Sequence, residues 1–193
     1  MAAMLMRLAL LEARGKRRVL FACHRPVRDY ARLCLSQKGG KALPSSNLLL
    51  WDARRASPVE FIREVRRQEK AGLKLLVVDS LRDLGYEWKL KDQAKRLSKM
   101  AEECQILVVA GLELPPPFES RPWGAVRPRL SDLSPDVLHH ADGIVSLHPK
   151  THTRAAQMCQ TMVLESLQDP TGCQPRMEMK YDRASGGMAL CPG

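Results

Sequence analysis

Leu75-Leu76-Val77-Val78-Asp79-Ser80 is the stretch from which this sequence is best read. Four consecutive apolar residues leave no polar face, so a strand here is covered on both sides. That is the signature of a strand in a parallel sheet between helices. The run closes on an aspartate. This is the Walker B pattern, in which a buried strand holds a carboxylate at its tip to orient a magnesium ion through water. The pattern alone is weak, because parallel strands commonly end in Asp for ordinary polar reasons.

Working outward, four more short apolar runs are read as strands: Val19–Cys23, Asn47–Trp51, Ile106–Ala110 and Gly143–Leu147, beside Leu73–Asp79 itself. Helical patterns lie between them. Met4, Leu5, Leu8, Ala9 and Leu11 make one apolar face. Ser57-Pro58-Val59-Glu60 opens a second helix, with Ser57 as cap, Pro58 at the first helical position and Glu60 completing a capping box. Phe61, Ile62 and Val65 are its expected buried side. Leu90, Ala94, Leu97, Ala101 and Cys104 recur at offsets of four and three and mark a third helix. Such alternation argues an α/β fold with a parallel sheet and right-handed crossovers. Ligands of such sheets bind beyond the carboxyl ends of the strands. Those ends are Cys23-His24-Arg25, Asp52, Asp79-Ser80 and Gly111-Leu112-Glu113. Further on, Thr161–Leu167 and Pro175–Tyr181 flank Gln168-Asp169-Pro170-Thr171-Gly172 and read as a β-hairpin.

The chain has 193 residues, 45% hydrophobic and 27% charged, which suits one domain, 1–193, with a long surface loop from Pro115 to Pro128. No apolar run reaches the roughly 18 residues of a membrane span. The apolar N-terminus precedes its Arg and Lys residues, the reverse of a secretory signal. None of the six cysteines forms a CxxC pair. These features predict a cytoplasmic protein in a reducing compartment, with no membrane partner. Thirty-one Lys and Arg against 21 Asp and Glu give a net charge of +10, which favours polyanions.

A Walker B strand calls for a Gly-rich loop ending in Gly-Lys-Ser/Thr. The sequence contains none; Gly39-Gly40-Lys41 is followed by Ala42 and lacks the upstream strand. In a P-loop fold that loop joins the first strand to the first helix. Here the first element is a helix, so the chain is expected to lack the first strand and the P-loop, through a late start or a true truncation.

In order along the chain, Arg18–Pro26 (RVLFACHRP), Leu48–Asp52 (LLLWD), Leu75–Leu84 (LLVVDSLRDL), Arg127–Leu133 (RPRLSDL), Ala141–Leu147 (ADGIVSL) and Asp169–Gly172 (DPTG) form a series. It resembles the C-terminal ATPase domain of the DnaB-type replicative helicases, of the RecA/KaiC-like group, over roughly residues 4 to 183. The resemblance implies a RecA-like three-layer fold, with a mostly parallel central sheet flanked by helices and a C-terminal β-hairpin. It implies ATP and Mg2+ as cofactors, with Asp79 on the metal and Asp79 and Ser80 on the nucleotide side. His24 stands where the family has its catalytic glutamate, and Glu113 where it has a γ-phosphate-sensing glutamine. Glu165-Ser166-Leu167 replaces the trans-acting Lys-x-Arg; a shifted alignment would use Lys180 and Arg183. Phosphoryl transfer relies on positioning and electrostatic stabilisation, so these departures predict weak hydrolysis or none. The chain would then carry no cofactor.

The DNA-contacting loops of the family correspond to Glu119–Arg129. This makes Arg121, Arg127 and Arg129 candidates for phosphates and Trp123 for stacking on a base. Single-stranded DNA and other RecA-like subunits, in a homo- or hetero-oligomer, are the implied partners. Two further groups have a functional and a plain reading: the stripe Arg63, Arg66, Arg67 and Lys70 could track DNA phosphates and the pair His139-His140 near Asp136 and Asp142 could bind a metal, but both are read first as ordinary surface. The expected function is that of a degenerate DnaB-like helicase domain; the alternative is a non-catalytic RecA-fold module binding DNA or an active ATPase partner.

Overall fold

The computed structural model describes residues 2–37, 46–82, 84, 90–114, 127–149, 159–168, 176–182 and 188–190. The chain divides into two compact units, Met1–Glu113 and Leu114–Gly193.

The first unit holds α1 (Ala2–Arg14), β1 (Arg18–Cys23), α2 (Val27–Gln37), β2 (Leu48–Asp52), α3 (Pro58–Lys70), β3 (Leu73–Val78), α4 (Leu90–Cys104) and β4 (Leu107–Ala110). Its four strands form one sheet in the order β2-β1-β3-β4. All pairings are parallel, with Val19 beside Leu48 and Leu75, and Leu75 beside Leu107. The order fixes the helix layers. From β1 to β2 the chain steps one way across the sheet, and from β2 to β3 to β4 it steps back. Right-handed crossovers therefore put α2 on one face and α3 and α4 on the other. Alternate side chains follow. Val19, Phe21, Cys23, Leu75 and Val77 form one buried cluster with Leu5, Met6, Ala9 and Leu10 of α1 and Tyr30 and Cys34 of α2. Leu20, Ala22, Leu76 and Val78 are equally buried but lie outside that cluster, on the α3–α4 side.

The local signals hold at α3. Ser57 caps it, its Oγ accepting from the Glu60 backbone N–H at 3.3 Å, while the Glu60 carboxylate accepts from the Ser57 N–H at 2.8 Å. Phe61, Val65 and Gln68 make its buried side, and the Phe61 ring lies 5.5 Å from Trp51. In α1 the buried face is Ala3, Leu5, Met6, Ala9, Leu10 and Ala13, rotated from the expected stripe, so that Leu11 is exposed. Cys23 is fully buried, and Cys104 is half-buried. The helix α2 was not anticipated from the sequence.

The second unit begins with a 3-10 turn at Leu130–Asp132 and a short helix, α5 (Pro135–His140), capped by Ser134. An antiparallel sheet follows, in the order β5 (Ile144–Pro149), β6 (Cys159–Gln168), β7 (Arg176–Asp182) and β8 (Met188–Leu190). The expected hairpin is β6–β7, with Val163 opposite Glu178. The fifth apolar run was read with the parallel strands. It instead pairs antiparallel with β6. The difference is visible in its burial: Val145 is exposed and Ser146 buried, an alternation that belongs to a strand with unlike faces rather than one covered on both.

Candidate functional site at the carboxyl end of the parallel sheet

Parallel pairing brings the ends of β1, β3 and β4 to one rim of the first unit. His24 follows β1, Asp79 and Ser80 follow β3, and Glu113 lies three residues after β4. The backbone ladder runs on past the strands and holds these ends together. The Asp79 N–H donates to the Ala22 carbonyl at 3.3 Å, the Gly111 N–H to Val78 at 2.9 Å and the Leu81 N–H to Gly111 at 2.7 Å. Asp79 is buried, only 5% exposed; His24 and Ser80 are half-buried, and Glu113 is exposed.

The centre of this rim is occupied by a residue that the sequence did not flag. Tyr30, from the first turn of α2, is 1% exposed, and its hydroxyl donates a hydrogen bond to Asp79 Oδ2. The phenol oxygen in turn accepts from the backbone N–H of His24. Its ring packs 5.1 Å from Phe21. Tyr30 reaches Asp79 because both lie on the α1–α2 face: Leu75, Val77 and Asp79 alternate toward that side. Burial, then the bond to Asp79 and its negative charge, push the phenol well above its ordinary range. Cys23, at the end of β1, is pushed up to about 12 by burial and then by the charges of Asp79 and Asp52. Tyr30 and Cys23 are therefore neutral groups at neutral pH, neither of them a nucleophile. The signal for α2 was present in Val27, Tyr30, Leu33 and Cys34, spaced three, three and one, after a proline.

No protein-family model matches the chain, and no curated protein sequence matches it. Solved structures do. A DnaB-like replicative helicase, described with its interactions with primase, is similar with a TM-score of 0.81 at 16% identity, over 97% of this chain and 55% of that one. The chain thus spans about half the length of that helicase. The ATPase domain of G40P is similar with a TM-score of 0.80, also at 16% identity, over 99% of this chain and 80% of that one.

The fold is that of a DnaB-like helicase ATPase domain.

In a DnaB-like fold the resemblance would give Asp79 a magnesium ion. Magnesium keeps most of its waters and takes one or two carboxylates with phosphate oxygens. The carboxylate found here is covered by Tyr30 and already accepts a hydrogen bond from its hydroxyl. The residues as placed do not fit hydrated magnesium.

The remaining candidates lie in the second unit. Arg127 donates through Nε to Glu165 Oε1 at 2.6 Å. Glu165, on β6, is 4% exposed, and the same oxygen is 3.1 Å from His148 Nε2 and 3.5 Å from Ser146 Oγ, both on β5. Burial raises the Glu165 carboxyl, but the bonds from Arg127 and His148 outweigh it and hold it below its ordinary value. Glu165 was read as the lost first cation of the Lys-x-Arg pair; its role as acceptor for Arg127 was missed. Its signal was an acid two residues after Val163, on the same face of the strand. Leu167 is half-buried on β6, and Lys180 is exposed on β7. Arg129 is exposed, its backbone N–H donating to Asp132 at 2.8 Å. Arg121, Trp123 and Arg183 lie outside the described residues. His139 and His140 meet edge to face, 4.9 Å apart at the end of α5. In the first unit Arg67 pairs with Glu64 at 2.8 Å and Arg66 with Glu103 at 2.9 Å, so half of the α3 stripe is neutralised. No described helix is long and apolar enough to cross a membrane.

Proposed function

We propose that this chain is a DnaB-like, RecA-fold module that binds DNA and RecA-like partner subunits but does not hydrolyse ATP through its own strand-end carboxylate. The observation that carries this is the hydrogen bond from Tyr30 to Asp79, with both side chains buried. For Asp79 Oδ2 to orient a metal, the Tyr30 hydroxyl has to give up this bond and its ring has to shift. That would uncover the Phe21–Tyr30 contact and leave a buried carboxylate without its donor. The identities around the rim agree. His24 is a poorer match than glutamate for polarising water, and Glu113 would repel a triphosphate. Leu167 has no charge to offer a transition state. A polypeptide of net charge +10 retains the affinity for polyanions that DNA binding needs.

Thermal unfolding with and without Mg-ATP tests the proposal. A ligand at 100 times its Kd adds about 2.7 kcal/mol, which is several degrees in Tm for a chain of this size. The expected result is no shift and no phosphate release. A saturable shift of that size, or phosphate release abolished by Asp79→Asn, would overturn it.

A further inference from the structure

The opposite rim of the parallel sheet carries a second group of charges, and the backbone there departs from regularity at two lysines. After α1 the chain turns through Gly15-Lys16-Arg17, held by Gly15 N–H to Leu11 (3.1 Å) and Arg17 N–H to Glu12 (3.1 Å). The left-handed residue in this turn is Lys16, at φ 64°, although Gly15 stands beside it. A residue with a Cβ is strained in that region, where Gly or Asn is the usual choice. The second departure is in β3. Arg18 is paired with Leu73 and Val19 with Leu75, so Lys74 is the extra residue of a bulge. A bulge re-aims a side chain, and Lys74 is the one exposed residue in an otherwise buried strand.

The two turns are neighbours, because β1 and β3 are paired. Arg18 fastens them, donating to Gln68 Oε1 at 3.0 Å in the last turn of α3. Lys70 ends that helix, exposed. The acids nearby do not cancel the charge. Glu12 is held by Arg17 at 2.8 Å, and Glu103 by Arg66 and Lys99. Arg14, Lys16, Lys70 and Lys74 are all exposed.

We propose that this amino-terminal rim of the sheet, presenting Lys16, Lys70 and Lys74 from the adjoining α1–β1 and α3–β3 turns, is a docking surface for a nucleic-acid phosphate backbone. It deepens the DNA-binding part of the function proposed above and does not depend on the nucleotide part. Lysine cations contact phosphate and carry no base readout, so binding is independent of sequence. A lipid surface is the poorer fit, since interfacial binding also needs an apolar face and Leu11 is the one large exposed hydrophobic residue of α1.

The test is anisotropy of a fluorescent oligo-dT bound by the full chain without nucleotide, across a range of salt. Each lost phosphate contact on a single strand lowers the log–log salt slope by about 0.7. The triple variant Lys16→Asn/Lys70→Gln/Lys74→Gln is expected to lose about two units of slope and to bind about tenfold or more weakly at moderate salt. Its Tm should be unchanged or higher, since Asn tolerates the left-handed turn. The single variants Lys16→Asn and Lys74→Gln should each lose about 0.7. A control of equal charge change, Arg55→Gln/Arg82→Gln/Lys95→Gln, should bind almost as the parent does. Equal weakening in both triples would reduce the effect to net charge and overturn the proposal. So would absence of DNA binding by the parent, or binding to anionic vesicles alone. An Mg-ATP shift in the parent would sink the nucleotide reading and leave this one standing.

Discussion

Tyr30 and Asp79 together set what the carboxyl end of the sheet can do. The pair joins two elements, since Tyr30 comes from α2 and Asp79 from the tip of β3. A buried carboxylate that loses its donor costs about 1–3 kcal/mol, whereas removing both partners costs less. A double-mutant cycle with Tyr30→Phe and Asp79→Asn, read by urea unfolding, should therefore give a coupling above about 1 kcal/mol. Additive losses would mean that the phenol and the carboxylate act separately. Tyr30 also explains why the site was only partly legible. The sequence pointed to the strand-end positions His24, Asp79, Ser80 and Glu113, because position after a buried run is a local property. What covers a strand end is decided by a helix folded back from elsewhere in the chain. No spacing rule connects Tyr30 to Asp79.

Among the elements, those with strong local chemistry were read well and those decided by tertiary company were not. The helix α3 announces itself through Ser57, Pro58 and Glu60, and β1 and β3 through unbroken apolar runs. By contrast, β5 opens on an apolar pair like those of β4, and its pairing partner reveals an antiparallel sheet. Carboxylates held by local partners, and Glu165 between elements, make acid the vulnerable side of this fold. Asp52, Glu60, Glu64 and Glu165 are each held below their ordinary values: Asp52 by its bonds to Arg54, Glu60 by Ser57, Glu64 by Arg67, and Glu165 by Arg127 and His148 against its burial. A carboxyl lowered by folding contributes stability above its unfolded value, near 4.5 for Glu, and loses it as pH falls through the folded value. The urea midpoint should be flat from neutrality to about pH 5 and drop below about pH 4.5. Glu165→Gln should cost about 1 kcal/mol at pH 7 and flatten part of that acid fall. An unchanged acid slope would show that Glu165 is not held ionised by its neighbours.

For the whole molecule, the strand order leaves β4 at the margin of the parallel sheet. Among the described residues it pairs with β3 alone, and Leu107 is 58% exposed there. An apolar strand with an unpaired edge is a template for pairing with another chain. Leu107→Lys should lower concentration-dependent association, read by light scattering, and shift Tm by little. Equal association of parent and variant would clear this edge of blame. The same order has a temporal consequence. The central strand, β1, emerges early, yet its neighbour β3 is made only after two helices and β2 have followed. At ribosomal speeds the gap is roughly three to eleven seconds. Until then one flank of Val19–Cys23 stays bare, so the nascent chain is most exposed to chaperones and to misassembly before translation reaches Leu73.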